Sequence, residues 1–112
     1  MENDDTTYTP SDLLPLCRAE GIPLVYDVHH HRCNPDELSV EEATCKAIAT
    51  WNREPLFHIS SPLEGWKGKR PKPHHDFIDV QDFPQCWYRL KLTVEVEAKA
   101  KELAVLKLKR LL

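Results

Sequence analysis

Three short runs rich in apolar residues each end at, or carry, a residue able to ligate a metal, and stretches with helical features separate them. Ile22–Tyr26 stops at Asp27, Pro55–Ser60 carries His58, and Leu92–Glu97 ends in Glu97. The first is a short uninterrupted run, the pattern of a strand buried on both faces of a parallel sheet. The third alternates, with Leu92, Val94 and Val96 on one face. Between and around the runs lie helical signals. Thr9 is placed as an N-cap with Pro10 at the first helical position, Leu13, Leu14 and Cys17 share a face, and Gly21 closes the turn. Ser39 and Glu42 have capping-box spacing ahead of Val40, Ala43, Ala47, Ile48 and Trp51. Ala98–Leu112 forms the last helix, with Leu103, Ala104, Leu106 and Leu111 among its apolar positions, expected to lie on a sheet. Polar loops follow Asp27, through Asn34-Pro35-Asp36, and fill the long Pro- and Lys-rich stretch from Ser61 to about Pro84. The alternation predicts an α/β fold of β/α units on a parallel sheet, one domain over residues 1–112.

Composition narrows the class without naming it. The chain is 41% hydrophobic and 29% charged, with a net charge of −3, which is not the signature of a polycationic nucleic-acid-binding domain. Cys17, Cys33, Cys45 and Cys86 include no CxxC pair, so neither a zinc knuckle nor a redox motif is indicated, and four reduced thiols are expected. No stretch approaches the roughly 18 apolar residues of a membrane span, and the acidic start fits no targeting signal. A soluble, cytoplasmic protein is the expectation.

In a sheet of parallel β/α units the strand C-termini and the loops after them form one rim, where active sites gather. That rim would collect Glu2, which opens the chain where a preceding strand would end, with Asp27, the histidines His29, His30 and His31 after it, His58, and Glu97. His74 and His75, in the long loop, would join them. Mixed imidazole and carboxylate ligands suit Zn²⁺, Mn²⁺ or Fe²⁺ better than Ca²⁺ or Mg²⁺. Two or three such ions are the usual equipment for phosphodiester cleavage. Taken singly, each residue has a duller reading: a polar turn for the histidines, an N-cap for Asp27, a satisfied core histidine for His58, a surface charge for Glu97. Their coincidence at successive strand ends favours a metal site.

Lys67, Lys69, Arg70 and Lys72 form the one dense basic run and lead into His74-His75. Beside a metal site such a run suits a phosphate backbone; by itself it reads equally as a solvated loop. Trp51, Trp66 and Trp87 read as packing residues, with Trp66 or Tyr88 available to stack on a base.

Glu2-Asn3-Asp4-Asp5 with Tyr8-Thr9 and Asp12-Leu13-Leu14-Pro15-Leu16, the strand Pro23-Leu24-Val25-Tyr26-Asp27-Val28-His29-His30-His31, then His58-Ile59-Ser60, His74-His75-Asp76-Phe77-Ile78 and Glu97-Ala98-Lys99-Ala100-Lys101-Glu102 follow one another in this order. Together they resemble the motifs of the UV damage endonuclease family across essentially the whole chain. The resemblance implies a TIM-type β/α barrel related to endonuclease IV and the xylose isomerases, of which this chain would be the C-terminal portion. It implies a Mn²⁺-using site, double-stranded DNA with UV lesions (pyrimidine dimers and 6-4 photoproducts) as substrate, and a nick immediately 5′ to the damage. The ligands it implies are Glu2, Asp27, His30, His58, His74 and Glu97, with catalysis resting on Glu2, Asp27, His58 and Glu97. His29 or His31 stays open in place of His30, and His75 in place of His74.

Two departures accompany the resemblance. Some members carry a lysine two positions before the strand histidine, where this chain has Leu56. A complete β/α barrel runs to roughly 250 residues, and 112 begin where the family is about halfway along it. The chain is therefore expected to be a fragment or half-barrel that needs the missing N-terminal half or a partner chain. The readings that stay beside this one are an apurinic-site endonuclease or sugar isomerase on the same barrel, or a non-catalytic metal- or DNA-binding remnant.

Overall fold

Thr9 and Ser39 start the two helices that flank the sheet, each through a complete capping box. In the computed structural model, which describes all of residues 1–112, α1 spans Pro10–Glu20: Thr9 accepts from the Asp12 N–H and the Asp12 carboxylate accepts back from the Thr9 N–H. Two orphan helix-end donors are satisfied reciprocally. Gly21 ends α1 in the left-handed region at φ 66°, which an L side chain adopts only at a cost. Asp27 caps a short helix, α2 (Val28–Cys33), and Ser39 with Glu42 caps α3 (Val40–Ile48). Strands β1 (Leu56–Ile59) and β2 (Thr93–Val96) and helix α4 (Glu102–Leu111) complete the regular elements.

β1 and β2 pair in parallel, with Leu56 opposite Thr93 and Ile59 opposite Val96. Two isolated parallel bridges, Glu2 with Val25 and Asp27 with His58, extend the same hydrogen-bonding direction. The Val25 N–H donates to Met1 O at 2.7 Å and the His58 N–H to Tyr26 O at 2.9 Å. Four parallel segments therefore lie side by side in chain order: residues 1–2, 23–27, β1 and β2. Outward residues of this arc enter one core: Leu24 and Tyr26, Phe57 and Ile59, with Leu13, Leu14 and Cys17 of α1, Ala43 and Ala47 of α3, Trp87, and Leu108 of α4. Tyr26, Phe57 and Trp87 meet ring to ring, with centroids 5.5 to 6.3 Å apart.

The sequence reading needs correction at several places. Ile22–Tyr26 is extended but carries only bridges rather than a full strand: Pro23 has no N–H to donate, and the segment's neighbour toward the N-terminus is only residues 1–2. The histidines after Asp27 occupy helix α2, not a loop, because the Asp27 carboxylate caps that helix. The Ser61–Pro84 stretch is not wholly irregular; Val80–Asp82 forms a 3-10 turn within it, and Gln85–Trp87 forms another directly after it. Trp51 lies beyond α3, its indole N–H donating to Leu24 O at 2.7 Å.

The last helix starts at Glu102 rather than Ala98. Ahead of it, the N–H groups of Lys99 and Ala100 donate to His75 O and Asp76 O, and Lys101 turns at φ 52°. Ala104 and Leu108, one turn apart, are its buried residues, whereas Leu103, Leu106 and Leu111 are exposed. All four cysteines are unpaired. No helix is long and apolar enough to cross a membrane.

Candidate metal centre

The C-terminal ends of the four parallel segments bring Glu2, Asp27, His58 and Glu97 together, each offering one ligand atom within 4.8 Å of the others. Parallel register explains the convergence. Asp27 lies beside His58 and Glu2 beside Val25, two residues before Asp27, so these side chains share one face of the arc. Glu97 follows β2 at the same level, its N–H donating to Ile59 O at 2.8 Å.

His58 Nδ1 sits among the three carboxylates, 3.2 Å from Glu2 Oε2, 3.0 Å from Glu97 Oε1 and 3.9 Å from Asp27 Oδ2. Its pKa is pushed up to about 10 by Glu2 and then Glu97. In return His58 holds both glutamates below the ordinary carboxylate range. Asp27, with a fully buried side chain, moves the other way, to about 7, chiefly because burial disfavours its charge.

One imidazolium does not satisfy three carboxylates at this depth. Asp27 Oδ1 caps α2 by accepting from the His30 N–H at 2.9 Å, but Asp27 Oδ2 is buried with no hydrogen-bond partner, and Glu97 Oε1, although 3.0 Å from His58 Nδ1, is buried outside hydrogen-bond geometry. Buried carboxylate oxygens are seldom left so. These oxygens, with an imidazole nitrogen between them, fit a divalent cation of the first transition row, which would replace the His58 proton.

The other histidines differ sharply. His30 lies at the cluster's margin, with Nδ1 3.4 Å from Asp27 Oδ2 and 3.6 Å from Glu2 Oε2, and 2.9 Å from Asn3 O. His31 is a buried structural residue, held between the Tyr26 hydroxyl at 2.6 Å and Asp36 Oδ1 at 2.7 Å. His29 is buried, its Nε2 3.2 Å from Lys72 O, and its ring meets those of Trp66 and His74 at centroid distances of 5.3 Å. His74 lies outside the four-residue cluster and lines an open groove with Glu97. His75 is turned into its own loop, where Nδ1 accepts from the Phe77 N–H.

Lys67, Lys69, Arg70 and Lys72 are all exposed, and the loop carrying them folds closely on itself. A Cβ at Gly68 would come within 2.7 Å of Glu64 O, so this position requires glycine. Arg70 pairs with Glu64 at 2.9 Å, while the His29 contact to Lys72 O ties the loop's end to α2. Trp66 donates to Asp82 and, against His29, is only partly a packing residue; Trp87 is fully so.

Sequence reasoning missed two residues here. Asn3 is fully buried and exchanges two hydrogen bonds with the Asp27 backbone. Glu95 contacts the far side of the His58 ring at 2.8 Å. The alternation of β2 was the available signal for Glu95, because it places residues 93, 95 and 97 on one face. For Asn3 no sequence signal exists beyond its place next to Glu2.

The chain is similar to known proteins over essentially its whole length. The family model described as UV-endonuclease UvdE matches residues 1–112. The chain is 39% identical over 112 residues to the UV DNA damage endonuclease of Deinococcus radiodurans, covering 94% of this chain and 35% of that protein. It is 38% identical over 117 residues to the enzyme of the same name from Halalkalibacterium halodurans, covering 96% of this chain and 35% of that one. The crystal structure of SacUVDE superposes with a TM-score of 0.84 at 27% identity, over 98% of this chain and 37% of that chain. The chain thus spans about a third of the length of these relatives, and its arc of parallel segments corresponds to part of a TIM-type barrel. Sequence and fold together place the chain in the UV-endonuclease UvdE family.

Proposed function

We propose that this chain supplies the metal-binding rim of a DNA repair endonuclease that nicks double-stranded DNA on the 5′ side of UV lesions. The observation that carries the reading is the cluster of Glu2, Asp27, His58 and Glu97 with two buried carboxylate oxygens outside hydrogen-bond geometry. These four residues would hold divalent cations, Mn²⁺ first among them and two or three in number, with His30 and His74 completing the set from the margin. Such ions supply Lewis acidity for activating water and neutralising a phosphodiester. The reaction adds water across a P–O bond and leaves a 3′-hydroxyl and a 5′-phosphate. Lys67, Lys69 and Lys72 would bind the DNA backbone, and the remaining part of the barrel, in the same or a partner chain, would enclose the damaged bases. An enzyme of this kind works with the DNA inside the cell.

The test is nicking of UV-irradiated supercoiled plasmid in Mn²⁺, by this chain alone and together with the N-terminal portion of a relative. Unirradiated plasmid, EDTA and Glu97→Gln serve as controls. EDTA-sensitive nicking confined to irradiated plasmid and lost in Glu97→Gln is expected. Nicking that survives EDTA, or that ignores irradiation, would contradict the reading.

A further inference from the structure

β2 presents Thr93 and Glu95 on the face that Glu97 continues, while Val94 and Val96 turn to the core. The β1–β2 register sets Glu95 directly opposite His58. Glu95 Oε2 lies 2.8 Å from His58 Nε2, the ring nitrogen on the far side from the carboxylate cluster. Every other acid at ion-pair distance from His58 faces Nδ1. The Glu95 side chain is 59% exposed, so packing makes no demand for a carboxylate there.

A neutral imidazole carries one N–H and one lone pair, and the partner of one nitrogen decides what the other can do. We propose that Glu95 is a positioning residue for His58: its carboxylate, in ion-pair contact with Nε2, favours the tautomer with the proton there, so that Nδ1 turns its lone pair toward a cation held with Glu2, Asp27 and Glu97. A carboxylate behind a ligating histidine fixes the tautomer and raises the basicity of the ligand. Without Glu95, the tautomer with its proton on Nδ1 competes, and that proton opposes a cation at the same point. The inference rests on the metal-centre reading above and adds to it a residue that need not touch the metal.

The experiment titrates Mn²⁺ into the parent chain, Glu95→Ala and Glu95→Gln, reading free Mn²⁺ by electron paramagnetic resonance. ¹⁵N NMR of the Zn²⁺-loaded parent reports which nitrogen of His58 keeps its proton. Glu95→Ala is expected to weaken Mn²⁺ binding by roughly 10- to 100-fold. Glu95→Gln, which keeps an oxygen beside Nε2 but not the charge, should recover only part of it. The metal-free melting temperature should be the same in all three, since an exposed ion pair adds little to stability. NMR should find the proton on Nε2. Tight binding by the parent with an unchanged affinity in Glu95→Ala, or metal on Nε2, would overturn the role of Glu95 and leave the metal centre standing. A parent chain that binds no Mn²⁺ would overturn both.

Discussion

The Asn3 side chain mimics a strand neighbour for Asp27: its amide donates to Asp27 O at 3.0 Å and its carbonyl accepts from the Asp27 N–H at 2.9 Å. Asn3 thereby continues, with a side chain, the ladder that the backbone leaves after the Glu2–Val25 bridge. The backbone O of the same residue lies 2.9 Å from His30 Nδ1. Two residues of the candidate metal centre, Glu2 and Asp27, and His30 at its margin thus take their relative positions from one buried amide.

Replacing Asn3 with alanine should strand the Asp27 N–H and C=O in the interior. Each buried group left unpaired costs about 1–3 kcal/mol. Chemical denaturation of Asn3→Ala should register a loss on that scale, together with weaker Mn²⁺ binding.

Metal affinity should rise with pH. Without metal, His58 keeps its proton up to about pH 10 and Asp27 its own up to about pH 7. Cation binding requires both groups deprotonated, so protons leave as the metal enters. Between pH 7 and 9 one proton is released, and the apparent affinity should climb about tenfold per pH unit. Below pH 7 Asp27 adds its proton and the dependence should steepen. Isothermal titration in buffers of different ionisation enthalpy counts the protons directly.

Away from the site, Asp36 should govern part of the acid stability. Burial alone would raise its pKa, but hydrogen bonds from the Ser11 N–H, His31 and the Leu38 N–H outweigh burial and lower it. A carboxylate depressed in the folded state contributes stability that is complete above its unfolded pKa and is lost as pH falls through the folded one. The effect therefore lies from the ordinary aspartate value of 3.8 downward. Asp36→Ala should be less stable at pH 7 by about 1–3 kcal/mol, with the difference narrowing below pH 4 in urea unfolding.

Much of this was legible in the chain, for reasons that differ residue by residue. Thr9, Pro10 and Gly21, and Ser39 with Glu42, fix helix ends through local chemistry, so four or five consecutive residues carry the information. Asp27, His58 and Glu97 could be aligned because parallel strands put their C-terminal ends on one rim. The short helix of His29–His31 could not be read, because six residues hold too little periodicity and their cap is the same Asp27 that faces the metal site. Pro23 weakens its strand through an N–H it lacks. Leu103, Leu106 and Leu111 suggested a buried face, yet only Ala104 and Leu108 point at the core. Asn3 and Glu95 act through neighbours more than twenty residues away, and their roles exist only in three dimensions.

The basic loop should contribute charge without selectivity. Neutralising Lys67 and Lys69 together should weaken binding to irradiated and undamaged duplexes alike. Each lost phosphate contact should reduce the salt slope by about 0.9. Arg70→Ala should do less, because Glu64 already pairs that guanidinium. Fluorescence anisotropy at several salt concentrations separates these outcomes.

The most direct measurement is Mn²⁺ binding to the folded chain and to Glu97→Gln, followed by electron paramagnetic resonance at pH 8. Glu97 Oε1 is buried outside hydrogen-bond geometry, with only the His58 ion-pair contact, so the variant should fold as well as the parent and lose the metal. Saturable uptake of Mn²⁺ by the parent, abolished in Glu97→Gln, is the predicted result. Uptake unchanged by that substitution, or none by a parent chain shown to be folded, would contradict the assignment of Glu2, Asp27, His58 and Glu97 as a metal centre.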